Sequence, residues 1–223
     1  FTSDNGAEKN SDVATGPYRS NKGSIYEGGH RVPFLVSWGA GGIGDGDADS
    51  VGDTNSTLIC LTDMFATFAE MIGADLPDPR KGEKGAEDSF SVLPAWRGET
   101  MGERPPVFAH DHKEDKEDPA VSALRLDSPA VEGVVVEGAW KLFFDAGLLR
   151  QGRGQATELY DLATDSKEEN NRISEAALQP LVAHMTRVAR HHRNVGGHRF
   201  AGLSSGKEVR FDLSAETDQV PDG

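Results

Sequence analysis

The sequence holds one cysteine, Cys60, so it closes no internal disulfide and builds no cysteine-rich metal site. An isolated cysteine in an apolar stretch reads as packing. No apolar run approaches the length of a membrane span, which excludes a spanning helix from these residues. Basic residues are scarce: 23 Lys and Arg stand against 37 Asp and Glu, for a formal net charge of −14. A body this acidic repels polyanions at long range, so nucleic acid is excluded as a partner. An anionic substrate would need positive charge supplied locally. No repeat recurs along the chain, and no charged-then-apolar leader opens it; a start on Phe1 reads as a fragment. The 223 residues suffice for one domain or one and a fraction. Oligomeric state is not legible.

What is there reads as alternating turns, short apolar segments and two helices. Asp4-Asn5-Gly6 is turn chemistry at a strand end, followed by a polar, Gly-rich loop to Gly23. Val32 to Trp38 is β-branched and aromatic, which predicts a buried strand after Pro33. Thr62 to Ile72 predicts a helix with Met64, Phe65, Phe68, Ala69 and Ile72 on one apolar face. Thr62 or Asp63 is its candidate N-cap and Gly73 its C′ residue. The texture changes near residues 98 to 106. Beyond that point Val134–Val136 and Trp140–Phe144 flank Glu137-Gly138 as a hairpin, and Glu158–Leu162 is a further strand. Ala176 to about His192 is a helix with Leu178, Leu181, Val182, Met185, Val188 and Ala189 inward. Residues 204–223 are polar and read as a disordered tail.

Three places carry chemistry. Asp4 and Asn5 offer adjacent hard oxygens, suited to Ca²⁺ or Mg²⁺, although the same residues make an ordinary turn. Lys22 is a flexible ammonium beside Gly23 that can approach an anion. Arg31 can hold an oxyanion with its planar fork or pair with Glu27. The run from His110 through His112 to Asp118 could bind a transition metal, but a solvated loop accounts for it. His191 and His192 at a helix end suit the dipole.

Phe1-Thr2-Ser3-Asp4-Asn5-Gly6, a short loop, and Lys22-Gly23-Ser24-Ile25-Tyr26-Glu27-Gly28-Gly29-His30-Arg31-Val32-Pro33 together resemble the second half of a formylglycine-dependent sulfatase, of the alkaline phosphatase-like group. Further similar segments follow in order: Thr62–Thr67, Asp88–Pro94 closing at Gly98, Trp140–Leu142, and Glu158–Leu162 with Asp165 and Asn171. The ordered series spans about residues 1 to 190 and is specific, whereas no single piece is.

The resemblance implies an α/β fold. Residues 1–98 would close a large mixed α/β/α sheet domain. Residues 99–203 would form a small antiparallel subdomain with a packed C-terminal helix, ahead of the tail. It implies that Asp4 and Asn5 ligate an active-site Ca²⁺, ahead of Mg²⁺, and that Lys22 contacts the sulfate. Arg31, His110 and His112 would border the substrate cleft. The substrate would be an aryl or carbohydrate sulfate ester, small or polymeric, and the compartment periplasmic or extracellular.

In the family, a formylglycine made from a Cys/Ser-x-Pro-x-Arg motif attacks sulfur to give a covalent sulfate that is then eliminated. That motif is absent here. Thr15-Gly16-Pro17-Tyr18-Arg19 has Thr where Cys or Ser is required and is misplaced for it. The formylglycine is therefore expected in an upstream segment, and the chain alone is expected to be inactive. It is also expected to expose apolar edge and face in its first part and so to be poorly stable. The alternatives are a phosphonate or phosphate ester hydrolase of the same group, and a non-enzymatic acidic binding domain.

Overall fold

The computed structural model describes residues 1–10, 15–44, 52–78, 81–101, 104–110, 122–145 and 155–195, with only the backbone described for Ser122 and 191–195. The chain divides into two units, Phe1–Arg104 and Pro105–Gly223. The chain is of mixed α/β class, with antiparallel sheets and a C-terminal helix in the second unit.

The described residues of the first unit form loops, the α-helices α1 (Glu27–His30), α2 (Asp63–Ile72) and α3 (Leu93–Trp96), and a 3-10 turn at Gly39–Gly41. Its described β pairing consists of isolated bridges, Thr2 with Phe34 and Trp38 with Ile43. The predicted buried strand over Val32–Trp38 is instead an extended segment whose residues alternate between half-buried and exposed. Among the described residues its partners are the Phe1–Thr2 stretch, with the Leu35 amide donating to Phe1 O at 2.8 Å, and Ile43, which bridges to Trp38 at its end.

Helix α2 lies where the periodicity predicts and stops at Gly73 in the left-handed region, φ +65°, which glycine adopts without a Cβ penalty. Its buried face is only partly the predicted one: Ala69 is buried and Met64 half-buried, but the large apolar members of that face are outside. Asp63, Ala66, Thr67 and Ala69 are buried, while Phe65 is 58% and Ile72 79% exposed. Buried polar bonds decide this.

Fully buried Asp63 accepts from the Cys60 amide at 2.7 Å and the Phe90 amide at 3.2 Å, and pairs with Arg104. The Ser89 hydroxyl donates to Thr62 O at 2.7 Å and accepts from the Ala66 amide at 2.8 Å. The Thr67 hydroxyl donates to Asp63 O at 2.8 Å and accepts from the Val92 amide at 3.0 Å. Leaving any of these groups buried and unpaired costs about 1–3 kcal/mol, and more for the charges. The network therefore fixes the Asp63/Thr67 face inward and leaves Phe65 and Ile72 outside. Thr62 holds the N-cap position in helical conformation with no side-chain cap bond, so the predicted capping role is not seen. The Asp63 carboxylate serves the preceding loop and the 89–92 segment instead.

The second unit carries a four-stranded antiparallel sheet of order β1-β2-β5-β6: β1 (Val107–His110), β2 (Ser122–Asp127), β5 (Ala139–Phe144) and β6 (Ala156–Asp161). Register sets Leu124 opposite Leu142 and Leu142 opposite Leu159, a continuous apolar row. The C-terminal helix α4 (Gln179–Val195) buries Leu181, Met185, Val188 and Ala189 in the same core as Trp140, Leu142 and Phe144. On β5, Trp140 through Phe144 are all buried, so both sheet faces are covered there. The Lys141 ammonium is kept in that interior by Glu168 at 2.9 Å.

The predicted hairpin about Glu137-Gly138 is displaced. The tight turn is Glu132-Gly133, with φ +50° and +82°, joining β3 (Ala130–Val131) to β4 (Val134–Val135) in a separate ribbon. Two successive positive φ values match the twist of a two-residue hairpin. Glu137-Gly138 instead links that ribbon to β5. Residues 204–223 lie outside the described residues.

Leu142→Ala is expected to cost the second unit about 2–5 kcal/mol in chemical denaturation, as a fully buried leucine does. Phe65→Ser and Ile72→Ser should each change stability by under about 1 kcal/mol and reduce light scattering on heating. A loss of several kcal/mol from either would show that this helix face is covered.

Candidate functional site

The residues around Asp4 and Lys22 are held by backbone, and glycine makes this feasible. The Gly6 amide donates to Gly29 O at 2.9 Å, the Gly28 amide to Arg19 O at 2.8 Å, and the Lys22 amide to Ala7 O at 2.9 Å. A Cβ added to Gly6 would stand 1.9 Å from Gly28 O; on Gly28 it would stand 2.2 Å from Ser20 O, and on Gly29 2.0 Å from Ser24 O. No side chain fits at these distances. Three chain segments, 3–7, 19–24 and 27–30, therefore meet main chain to main chain. The Asp4–Asn5 turn, closed by the Ser3 hydroxyl on Asn5 O at 2.9 Å, is fixed beside the loop that bears Lys22.

Below this contact Glu27 is 1% exposed. Its carboxylate lies 3.4 Å from Arg31 Nη1 and 3.8 Å from His30 Nε2. The His30 ring nitrogen is also 3.1 Å from Ile25 O. Arg31 further stacks on Tyr18 at 4.7 Å, and Arg19 on Tyr26 at 3.7 Å. Of the two roles open to Arg31, the structure shows the ion pair with Glu27. That pair ties the buried end of the α1 turn to Arg31.

Lys22 Nζ stands 2.6 Å from Glu8 Oε1, both side chains substantially exposed. Glu8, and then Asp4, raise the Lys22 pKa, and Lys22 lowers that of Glu8. Asp4 is exposed and Asn5 half-buried. As hard oxygens they fit a Ca²⁺ ion in kind, but two donors are a fraction of the six to eight that Ca²⁺ takes. Among the described residues no group of three or more His, Cys, Asp or Glu gathers to complete such a shell.

His110 stands in the second unit at the end of β1, stacked on Phe108 at 6.3 Å, with its pKa lowered by desolvation. His112 lies outside the described residues. Sequence reasoning missed Glu8 as the partner of Lys22. A residue 14 positions away in a polar loop gives no signal of pairing. It also missed the Asp63–Arg104 pair, since neither spacing nor composition marks residues 41 apart.

No family model matches the chain. It is 27% identical over 191 residues to an N-acetylgalactosamine-6-O-sulfatase of Bacteroides thetaiotaomicron, covering 77% of this chain and 32% of that protein. It is 33% identical over 109 residues to a steryl-sulfatase of Mus musculus, covering 45% and 16%, and 36% identical over 93 residues to a sulfatase of Formosa agariphila, covering 42% and 16%. The chain thus spans no more than about a third of the length of these curated relatives. A solved structure in complex with its substrate D-glucosamine-2-N,6-O-disulfate aligns at 16% identity and a TM-score of 0.40, over 59% of this chain and 23% of that one. A 2-O GAG sulfatase aligns at 21% identity and 0.35, over 55% and 22%. The resemblance read from the ordered motifs is matched by these relatives, and it is to a partial sulfatase region.

Gly6→Ala is expected to cost about 1–3 kcal/mol or more in urea denaturation, because the added carbon meets backbone that cannot rotate away. Gly39→Ala, with nothing within 4 Å of the new carbon, should be near neutral. Equal, small effects at both positions would contradict the close backbone contact.

Proposed function

We propose that the chain is the C-terminal portion of a sulfatase, a sulfuric ester hydrolase, and supplies one edge of its active site. The observation that carries this reading is the backbone junction that sets the Asp4–Asn5 turn beside the Lys22 loop. A metal-ligand pair and an anion-binding ammonium on one rigid edge suit a sulfate group held between them.

In this reading Lys22 donates from Nζ to a sulfate oxygen. Its long stem and exposure let it follow the group as negative charge builds on the leaving oxygen. Glu8 first, and Asp4 to a lesser degree, favour the protonated ammonium and raise the Lys22 pKa. Asp4 and Asn5 would hold Ca²⁺ in preference to Mg²⁺, because an exposed turn gives adaptable rather than octahedral geometry. When bound, that ion would supply Lewis acidity to sulfate oxygens. The remaining ligands would come from outside these residues. Glu27 keeps Arg31 in the wall of the site and away from direct attack on substrate charge.

The proposed substrate is a carbohydrate sulfate ester, as the name of the relative with the longest alignment suggests. Local cations are needed because the body of the chain, at −14, repels such a group. The proposal includes a formylglycine nucleophile from a Cys/Ser-x-Pro-x-Arg motif, which these residues do not contain, and export to the periplasm or the cell exterior. Among the described residues no helix is long and apolar enough to cross a membrane.

The 223-residue chain alone is expected to release no sulfate from 4-nitrophenyl sulfate or N-acetylgalactosamine-6-sulfate. In a sulfatase that contains these residues and a formylglycine, Lys22→Ala should lower kcat/KM for sulfate release by about 100-fold or more. Turnover by the chain alone, or an unchanged kcat/KM in the variant, would overturn the reading.

A further inference from the structure

The Lys22 ammonium already holds an anion, and that anion belongs to the chain. The Lys22 amide donates to Ala7 O at 2.9 Å, so the backbone places residue 8 next to the root of the Lys22 side chain. Glu8 Oε1 then meets Nζ at 2.6 Å, within the range of a charge-assisted hydrogen bond. The two groups are 70% and 47% exposed, so solvent reaches both and the carboxylate can swing clear. The pairing is imposed by where the backbone starts the side chains, and it is weak enough to exchange.

We infer that Glu8 is an internal competitor for the anion position on Lys22, so that an incoming sulfate must displace its carboxylate. This deepens the reading of Lys22 as the sulfate contact and rests on it. Carboxylate and sulfate oxygens use the same N–H donors, and Lys has three, which one tight carboxylate partly occupies. Glu8 is thus a positioning residue: it acts on substrate through Lys22. It keeps the ammonium aimed along the edge and discriminates against weakly charged ligands, which gain too little from Lys22 to displace it. The opposed pKa displacements, Lys22 up and Glu8 down, agree with a mutual pair. Exposed pairs are worth little, so the effect of removing the competitor is a modest one: about two- to five-fold in anion affinity.

The test titrates inorganic sulfate into the 223-residue chain as wild type, Glu8→Gln, Lys22→Ala and the double variant, following the residue 22 and residue 8 signals by NMR at low ionic strength. Glu8→Gln is an isosteric change at an exposed side chain. The expected result is sulfate affinity raised about two- to five-fold by Glu8→Gln, with that gain lost in the Lys22→Ala background. Glu8→Asp should keep the wild-type affinity or fall between the two. No gain from Glu8→Gln, or no saturable binding by it, would overturn the proposal. An equal gain with and without Lys22 would also overturn it, because simple removal of a negative charge would then account for the effect. If Lys22→Ala alone binds sulfate as well as wild type, the reading of Lys22 fails and the Glu8 proposal falls with it.

Discussion

The close approach of Gly6 to the Gly28–Gly29 backbone is the constraint on which the candidate site depends. A turn bearing Asp4 and Asn5 has no reason of its own to stay beside a loop bearing Lys22, since both are polar and largely exposed. Hydrophobic burial cannot hold them. Main-chain hydrogen bonds can, provided that the chains approach within a distance that any side chain would block. Glu27, buried beneath and bound to His30 and Arg31, stiffens the turn that makes the approach. The Glu-Gly-Gly sequence is thus a structural joint whose product is the relative placement of a carboxylate, a carboxamide and an ammonium.

The two units solve stability differently. The first relies on buried polar bonds: Asp63, Thr67 and Ser89 tie helix α2 to the 89–92 segment, and Arg104 neutralises Asp63. It leaves Phe65, Phe68 and Ile72 outside. Such an arrangement specifies geometry strongly, because each buried polar group has one satisfactory set of partners. The second unit relies on apolar packing of one sheet face against helix α4, with the opposite face of β5 closed around the Lys141–Glu168 pair. It resembles an ordinary small α+β core and makes fewer demands on particular residues.

Much of this is legible in the sequence, for definite reasons. Helix α2, helix α4, and strands β5 and β6 follow from periodicity, and Gly73 from its stop position. The rotation of α2 was not legible. Hydrophobic periodicity assumes that the apolar face is the buried one, and here long-range polar bonds from Ser89 and Arg104 decide otherwise. The Val32–Trp38 segment misled in the same way, since β-branched residues record a tendency to extend but not the number of neighbouring strands. The hairpin was displaced because Glu132 in a positive-φ turn carries no sequence signal of the kind Asn-Gly gives. At the site, Asp4, Asn5 and Lys22 came from an ordered set of motifs, and backbone bonds join the 3–7 and 19–24 segments that bear them. The Glu8 partner came from geometry alone.

In the proposed reading this edge would work by holding charge in fixed places, with the Asp4–Asn5 turn and the Lys22 ammonium as two sides of one anion position. The account stands or falls on whether that edge is a single rigid object. Amide hydrogen exchange of the 223-residue chain measures this directly. The account predicts that the Gly6, Lys22 and Gly28 amides, each bonded across a segment boundary, are protected and open together with one common free energy. Gly6 and Lys22 exchanging at the rate of an unstructured chain while Gly28 stays protected would contradict it.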